Sequence, residues 1–178
     1  YPNTIKLVGE EFFNYAASTY IFKNLPKEGH LLNYGETFPE YMSSIIETEK
    51  YPFIYDFAKL EWLENECHNA EVEYAVTASD VDRMLHEGRT PEFKLRSCLR
   101  VIASNYAIED LWGILLSNKE LPENFKIDLP SELYTLLMKI DHGVEFFPLE
   151  KEEYQIVSEM LNGKELVDAL GFLKSEEK

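Results

Sequence analysis

The sequence predicts an α+β protein, an N-terminal helical bundle followed by a small C-terminal unit of about three antiparallel strands with helices. Three observations carry that expectation. Through the first half, apolar residues recur at offsets of three and four, the period of an amphipathic helix. After Gly88-Arg89-Thr90-Pro91 the period falls to two: Phe93, Leu95, Ser97, Leu99 and Val101 alternate with Lys94, Arg96, Cys98 and Arg100. Further on, two apolar runs flank a short turn containing glycine, the pattern of a hairpin. With 178 residues, 45% hydrophobic and 13% aromatic, the chain has enough apolar material for a core, which excludes a disordered protein.

Each element has its own local reason. Gly9–Leu25 carries Phe12, Phe13, Ala16, Tyr20 and Ile21 at helical offsets until Pro26 stops it. Leu31–Ile46 is interrupted by Gly35 and Pro39, which predicts two short helices or one kinked helix. Tyr51-Pro52 opens the strongest helix, because proline there lacks only an N–H that has no partner in a first turn. Phe53, Phe57, Leu60 and Cys67 form its stripe, widened by Ile54, Ala58, Trp62 and Leu63. Val76–Glu87 is a shorter helix, with Thr77 or Ser79 as N-cap and Gly88 as its stop.

The second half then runs strand, helix, hairpin, helix. Phe93–Val101 is the expected first strand and Ala107–Leu116 a short helix with Trp112. Asn118–Pro130, polar and holding Pro122 and Pro130, reads as a loop. Leu133–Ile140 and Val144–Pro148 pair across Asp141-His142-Gly143. Glu150–Leu161 and Glu165–Leu173 close the chain as helices, with Gly163 capping the first. The domain boundary falls near Gly88, giving a helical domain over 1–88 and a small α+β domain over 89–178.

Charge narrows the function. Thirty-three Asp and Glu against 17 Lys and Arg give 17 − 33 = −16, with a pI near 4.6. Phosphates on nucleic acid require Lys and Arg, and an anionic membrane surface repels an acidic chain, so both are disfavoured partners. No apolar run approaches the roughly 18–20 residues that span a bilayer, and no basic-then-apolar signal opens the chain. A cytoplasmic protein is expected. Cys67 and Cys98 are too few for a disulfide framework or a four-ligand zinc site and read as small apolar residues. Tyr1-Pro2-Asn3 leads at once into Ile5, Leu7 and Val8 without an initiator Met, so the chain is expected to start inside a longer polypeptide.

Catalytic patterns are not found. Glu61, Glu64, His68 and Glu71 lie three, four and three residues apart on one helix, a spacing that resembles carboxylate–imidazole metal sites of helical bundles. Those sites use Glu-x-x-His twice, whereas here Glu64-x-x-x-His68 occurs once, so a solvated charged face is the simpler reading. Glu61 points towards the apolar stripe and needs a partner when buried; an Arg or Lys ion pair is expected. Cys67 and His68 diverge by about 100° on a helix and do not share a metal. His30, His86 and His142 have no nucleophile or base nearby, and Ser97, Ser104 and Ser158 lack the context of a nucleophile elbow. No glycine-rich phosphate loop is present. No catalytic residue, metal site or cofactor is assigned.

The second half offers binding instead. A hairpin plus one strand leaves open edges, and an open edge accepts a foreign strand. Leu133–Ile140 is apolar on both faces, so it suits either a docking edge or a buried central strand. Arg89 precedes Lys94, Arg96 and Arg100, which share strand parity and form a local basic stripe. Such a stripe suits an acidic partner or a solvated face better than DNA, which needs more basic residues on neighbouring elements.

Three stretches carry a family resemblance: Leu7-Val8-Gly9-Glu10-Glu11-Phe12-Phe13; Leu32-Asn33-Tyr34-Gly35 with Phe38-Pro39; and Tyr51-Pro52-Phe53-Ile54-Tyr55-Asp56-Phe57-Ala58-Lys59-Leu60-Glu61-Trp62. Together they resemble the bacterial HvfC/BufC group of partner proteins, which bears an older DNA-binding label, and more distantly MbnC of methanobactin biosynthesis. The likeness covers nearly the whole helical half in order; the second half follows through its order of elements. Family members carry further helix before the position of Tyr1.

The resemblance implies a non-catalytic subunit that docks on an MbnB-like TIM-barrel multinuclear iron oxidase, the oxidase holding the iron. The pair modifies cysteines of a ribosomally made precursor peptide, often towards copper-binding groups. The C-terminal half, of winged-helix or peptide-recognition type, takes the precursor's leader as an added strand. On that reading Tyr134, Leu136, Met138, Ile140, Arg96 and Arg100 bind the peptide, and Tyr34, Phe38, Tyr55 and Trp62 dock the oxidase. The alternative is a DNA-binding transcriptional regulator acting through the α+β half.

Overall fold

The computed structural model describes residues 1–26, 31–46, 50–71, 73–120, 122, 124–141 and 143–176, with side chains to residue 171. The elements run α1 (Pro2–Val8), α2 (Glu10–Lys23), α3 (Phe38–Ile45), α4 (Ile54–Asn69), α5 (Ala78–His86), β1 (Leu99–Tyr106), α6 (Ile108–Leu116), β2 (Asp128–Ile140), β3 (Gly143–Leu149), α7 (Lys151–Leu161) and α8 (Leu166–Glu176). The class is mixed α+β; among the described residues five helices precede a three-stranded sheet of order β1-β2-β3. β2 and β3 are an antiparallel hairpin with Tyr134 opposite Leu149 and Ile140 opposite Gly143.

Contacts divide the chain into two compact units, neither continuous in sequence. Unit 1 is Tyr1–Asn65 with Ser104–Leu133; unit 2 is Glu66–Ala103 with Tyr134–Lys178. The divisions therefore fall inside α4, β1 and β2, while Gly88, where the sequence suggests a boundary, lies within unit 2. Pairing of residues distant in the chain sets these limits, and a change in local period does not report it.

Unit 1 is organised around aromatic rings. Ala16, Tyr20, Phe38, Met42 and Ile54 are buried together, with Tyr1, Phe13, Tyr34 and Tyr41 packed against them. The Phe38 ring lies 5.0, 5.4 and 5.2 Å from those of Tyr1, Phe13 and Tyr20, tilted or edge-on as ring quadrupoles prefer. Pro39 sits in the first turn of α3, just after Phe38, and does not kink it, since the preceding residues 32–37 form turns. Gly35 in that stretch has φ +117°, and a Cβ there would lie 3.4 Å from the Trp62 ring. Its carbonyl accepts the Tyr1 hydroxyl at 2.7 Å.

Helix α1 has no apolar period that announces it. It forms because a distant carboxylate receives its first amides. Glu61, buried on α4, accepts Asn3 N–H on Oε1 at 2.6 Å and both Thr4 N–H and Thr4 Oγ1–H on Oε2, at 2.8 and 2.6 Å. These are donors that the first turn of a helix leaves without partners. The ion pair expected for Glu61 is thus corrected: among the described residues, backbone and hydroxyl donors at a helix N-terminus, and no Lys or Arg, hold its side chain.

Two further elements depart from expectation. The first strand is Leu99–Tyr106, six residues later than Phe93–Val101, and residues 91–96 have neither helix nor strand. The cause is the partner: Lys139 N–H bonds to Cys98 O, and β2 ends at Ile140, so nothing upstream of Cys98 has a ladder to join. Second, β2 begins at Asp128, taking in Pro130 and the end of the expected loop. Elsewhere local signals hold. Thr77 caps α5 in a reciprocal box with Asp80, and Gly88 follows its end at φ +70°.

Candidate functional site

In unit 2, residues 90–97 face the end of α7 and the start of α8 across a groove of about 630 Å³. Its walls are apolar: Phe93 and Leu95 on one side, Met160, Leu166, Val167 and Leu170 on the other. Several of these remain open to solvent, Val167 at 76%, Phe93 at 44% and Leu170 at 43%. No described backbone hydrogen bond engages the amides or carbonyls of residues 91–95. Arg96 and Arg100 both line the groove, joined by Lys94 and Lys164 against Glu92 and Glu165. In a chain of net charge −16 this is a local reversal of sign.

The two expected arginines differ in what they are free to do. Arg100 Nε donates to Glu66 Oε2 at 2.6 Å, and its Nη1 donates to the carbonyls of Ser97 and Leu99 at 2.9 and 2.7 Å. Its guanidinium is thereby spent on holding α4 to the start of β1 within unit 2. Lys164 is likewise paired with Glu159. Arg96 meets no carboxylate among the described residues; its Nη2 lies 2.7 Å from Met138 Sδ, a weak acceptor.

That contact joins the groove to β2, where the structure sorts the remaining expected residues. Thr135 and Leu137 are buried, while Tyr134, Leu136, Met138 and Ile140 share the opposite, half-buried face. Tyr134 packs on Tyr154 of α7, ring centroids 4.9 Å apart, and Leu136 and Ile140 stand opposite Phe147 and Gly143. Of the two readings of Leu133–Ile140, a docking edge or a buried central strand, the second is the one found. β2 is the central strand, paired on both sides, so Tyr134–Ile140 offers no edge to an added strand. The sheet's edges belong to β1 and β3, and Pro148 in β3 is a residue that edge strands tolerate.

The four residues expected to dock a partner separate in the same way. Phe38 and Trp62 are core residues of unit 1, 3% and 5% exposed, so their rings are spent on internal packing. Tyr34, half-buried, donates to Asn24 O at 2.6 Å. Tyr55 is exposed beside Glu40 and Asp56; partial burial, then those two carboxylates, raise its phenol above the usual range. Asp56 accepts Ser104 Oγ–H at 2.6 Å, yet burial and the Glu132 charge outweigh that bond and raise its carboxyl above the ordinary value.

Among the described residues, no three His, Cys, Asp or Glu side chains gather into a metal-holding group, Glu64, His68 and Glu71 included. His30 and His142 lie outside the described residues. No helix among the described residues is long and apolar enough to cross a membrane. Sequence reasoning misses the groove's far wall; Val167 and Leu170, apolar and three residues apart on a helix, are the signal that could have found it. The chain matches no family model, no curated protein and no solved structure.

Proposed function

We propose that the chain is a non-catalytic partner subunit that docks on a TIM-barrel multinuclear iron oxidase. There it holds the leader of a ribosomally made precursor peptide while the oxidase modifies the peptide's cysteines. The observation that carries this reading is the open apolar groove of unit 2, bordered by backbone that no sheet uses and by the expected Arg96. Clefts of this kind take peptides: unpaired main chain supplies hydrogen bonds and apolar pockets take alternate side chains. The resemblance carried by Tyr34-Gly35, Phe38-Pro39 and Leu60-Glu61-Trp62 supplies the oxidase. Tyr55 and Tyr34, which keep solvent-facing surface, remain candidates for that docking. The complex is expected in the cytoplasm.

Size-exclusion chromatography of the purified chain with an oxidase of this class and its precursor tests the proposal. Co-elution of all three is expected, and elution of the chain apart from both partners sinks it. For the regulator alternative, duplex DNA binding that weakens steeply with salt is the discriminating result.

A further inference from the structure

Among the described residues four cations border the groove, but they are not equivalent. Arg100 and Lys164 are bound to Glu66 and Glu159, which cancels their charge locally. Lys94 and Arg96 have no carboxylate partner among the described residues, and they stand two residues apart on the wall that also bears Phe93 and Leu95. Of the two acids at the groove, Glu165 is the residue from which α8 starts, its carbonyl accepting Ala169 N–H. A carboxylate at that place is offset by the dipole of the helix it precedes. Glu92 is then the one acid lining the groove against Lys94 and Arg96, since Glu73, outside the lining, has its carboxylate taken by Ser97 N–H at 2.6 Å; two cations are left beside apolar side chains.

We propose that this groove selects an acidic amphipathic peptide segment, Asp or Glu interleaved with large apolar residues, and that Lys94 and Arg96 are its specificity-determining residues. The proposal rests on the peptide-binding reading above and names the ligand's chemistry. Apolar side chains of the segment cover Phe93, Val167 and Leu170, while its carboxylates meet Lys94 and Arg96. Arg100 is not a specificity residue on this reading, since its charge is paired with Glu66 and its Nε and Nη1 donors are engaged by Glu66, Ser97 and Leu99. Two available cations suit a short peptide better than nucleic acid, which is held by many phosphate contacts.

The test is selection of a random twelve-residue peptide library on the full chain and on a Lys94→Glu/Arg96→Glu variant, both verified as folded by thermal melting. Peptides kept by the native chain should be enriched in Asp and Glu alternating with Leu, Phe or Val. The best of them should lose at least about tenfold in affinity, roughly 1.4 kcal/mol, on the variant or when its acids become amides. Enrichment without acidic bias, the same bias on the variant, or no enrichment overturns the proposal. So does tighter binding of a twenty-base-pair duplex, lost on the variant. Chromatography with the oxidase is separate: a chain that co-elutes with oxidase and precursor but ignores peptide charge refutes the acidic preference alone. One that selects acidic peptides but joins no oxidase refutes the subunit role alone.

Discussion

Replacing Glu61 by Ala should remove a large share of the stability of unit 1. The substitution leaves Asn3 N–H, Thr4 N–H and Thr4 Oγ1–H without an acceptor, on residues that are 4% and 0% exposed. Each orphaned buried donor costs about 1–3 kcal/mol. The sum is bounded by two effects: the variant no longer buries a carboxylate, and α1 can detach and hydrate its amides. A loss of about 3–5 kcal/mol follows, against the roughly 5–15 kcal/mol that holds a domain together. Glu61→Gln keeps one acceptor but turns an amide donor towards Asn3 N–H, so about half the loss is expected.

The protein carries a suitable probe. Its two tryptophans, Trp62 and Trp112, both belong to unit 1, so their fluorescence in urea follows that unit by itself. At about 2 kcal/mol per molar urea, the Ala variant should unfold roughly 2 M earlier than the native chain. Amide exchange at Asn3 and Thr4 should rise in the same variant under native conditions. A midpoint moved by less than about 0.5 M, with those amides still protected, refutes the view that Glu61 anchors α1.

Three further outcomes are expected. Gly35→Ala should destabilise unit 1 by about 1–3 kcal/mol in the same fluorescence assay, because φ +117° is strained for any residue with a Cβ and the Trp62 ring lies 3.4 Å from it; an unchanged midpoint contradicts this. Asp56→Asn should stabilise the protein near neutral pH. The folded-state carboxyl titrates above its unfolded value, so the native chain loses stability as pH rises through the raised value, and Asn escapes that loss. The advantage should shrink towards zero below about pH 4, and a gain that grows on acidification disproves the assignment. Thr77→Ala should speed exchange at the Asp80 amide about fivefold by removing the cap of α5. Hydrogen bonds from Thr77 hold the Asp80 carboxyl below its usual range. The stability it lends is therefore present above the unfolded value near pH 4 and lost as pH falls through the depressed one, a dependence the variant should flatten.

How far the sequence reaches is clearest from particular residues. The stripe of Phe57, Leu60 and Cys67 announces α4, which starts at Ile54, two residues after the expected Pro52; Thr77 and Gly88 bracket α5; the two apolar runs about residues 141–143 announce the hairpin. Each is a local signal, read from hydrophobic period, cap and turn within a few residues of the element it builds. Of the candidate site, the run of basic residues Lys94, Arg96 and Arg100 is legible, although the strand expected to align them starts only at Leu99. The site's apolar far wall on α7 and α8 is not, because two segments about 70 residues apart form one groove.

The sequence by itself thus determined the class, most helices, the hairpin and the sign of the charge near the first strand. Tertiary structure alone decided the rest. Whether α1 forms depends on Glu61, some 57 residues away. Where β1 begins depends on where β2 ends, and whether β2 has a free edge depends on what pairs with it. Arg96 and Arg100 look alike in sequence, yet only Arg100 finds Glu66; Phe38 and Tyr55 look alike as aromatic residues, yet only Phe38 is enclosed. Burial, register and ion pairing are properties of two partners brought together by the fold, and a periodicity read along one segment carries no information about the other.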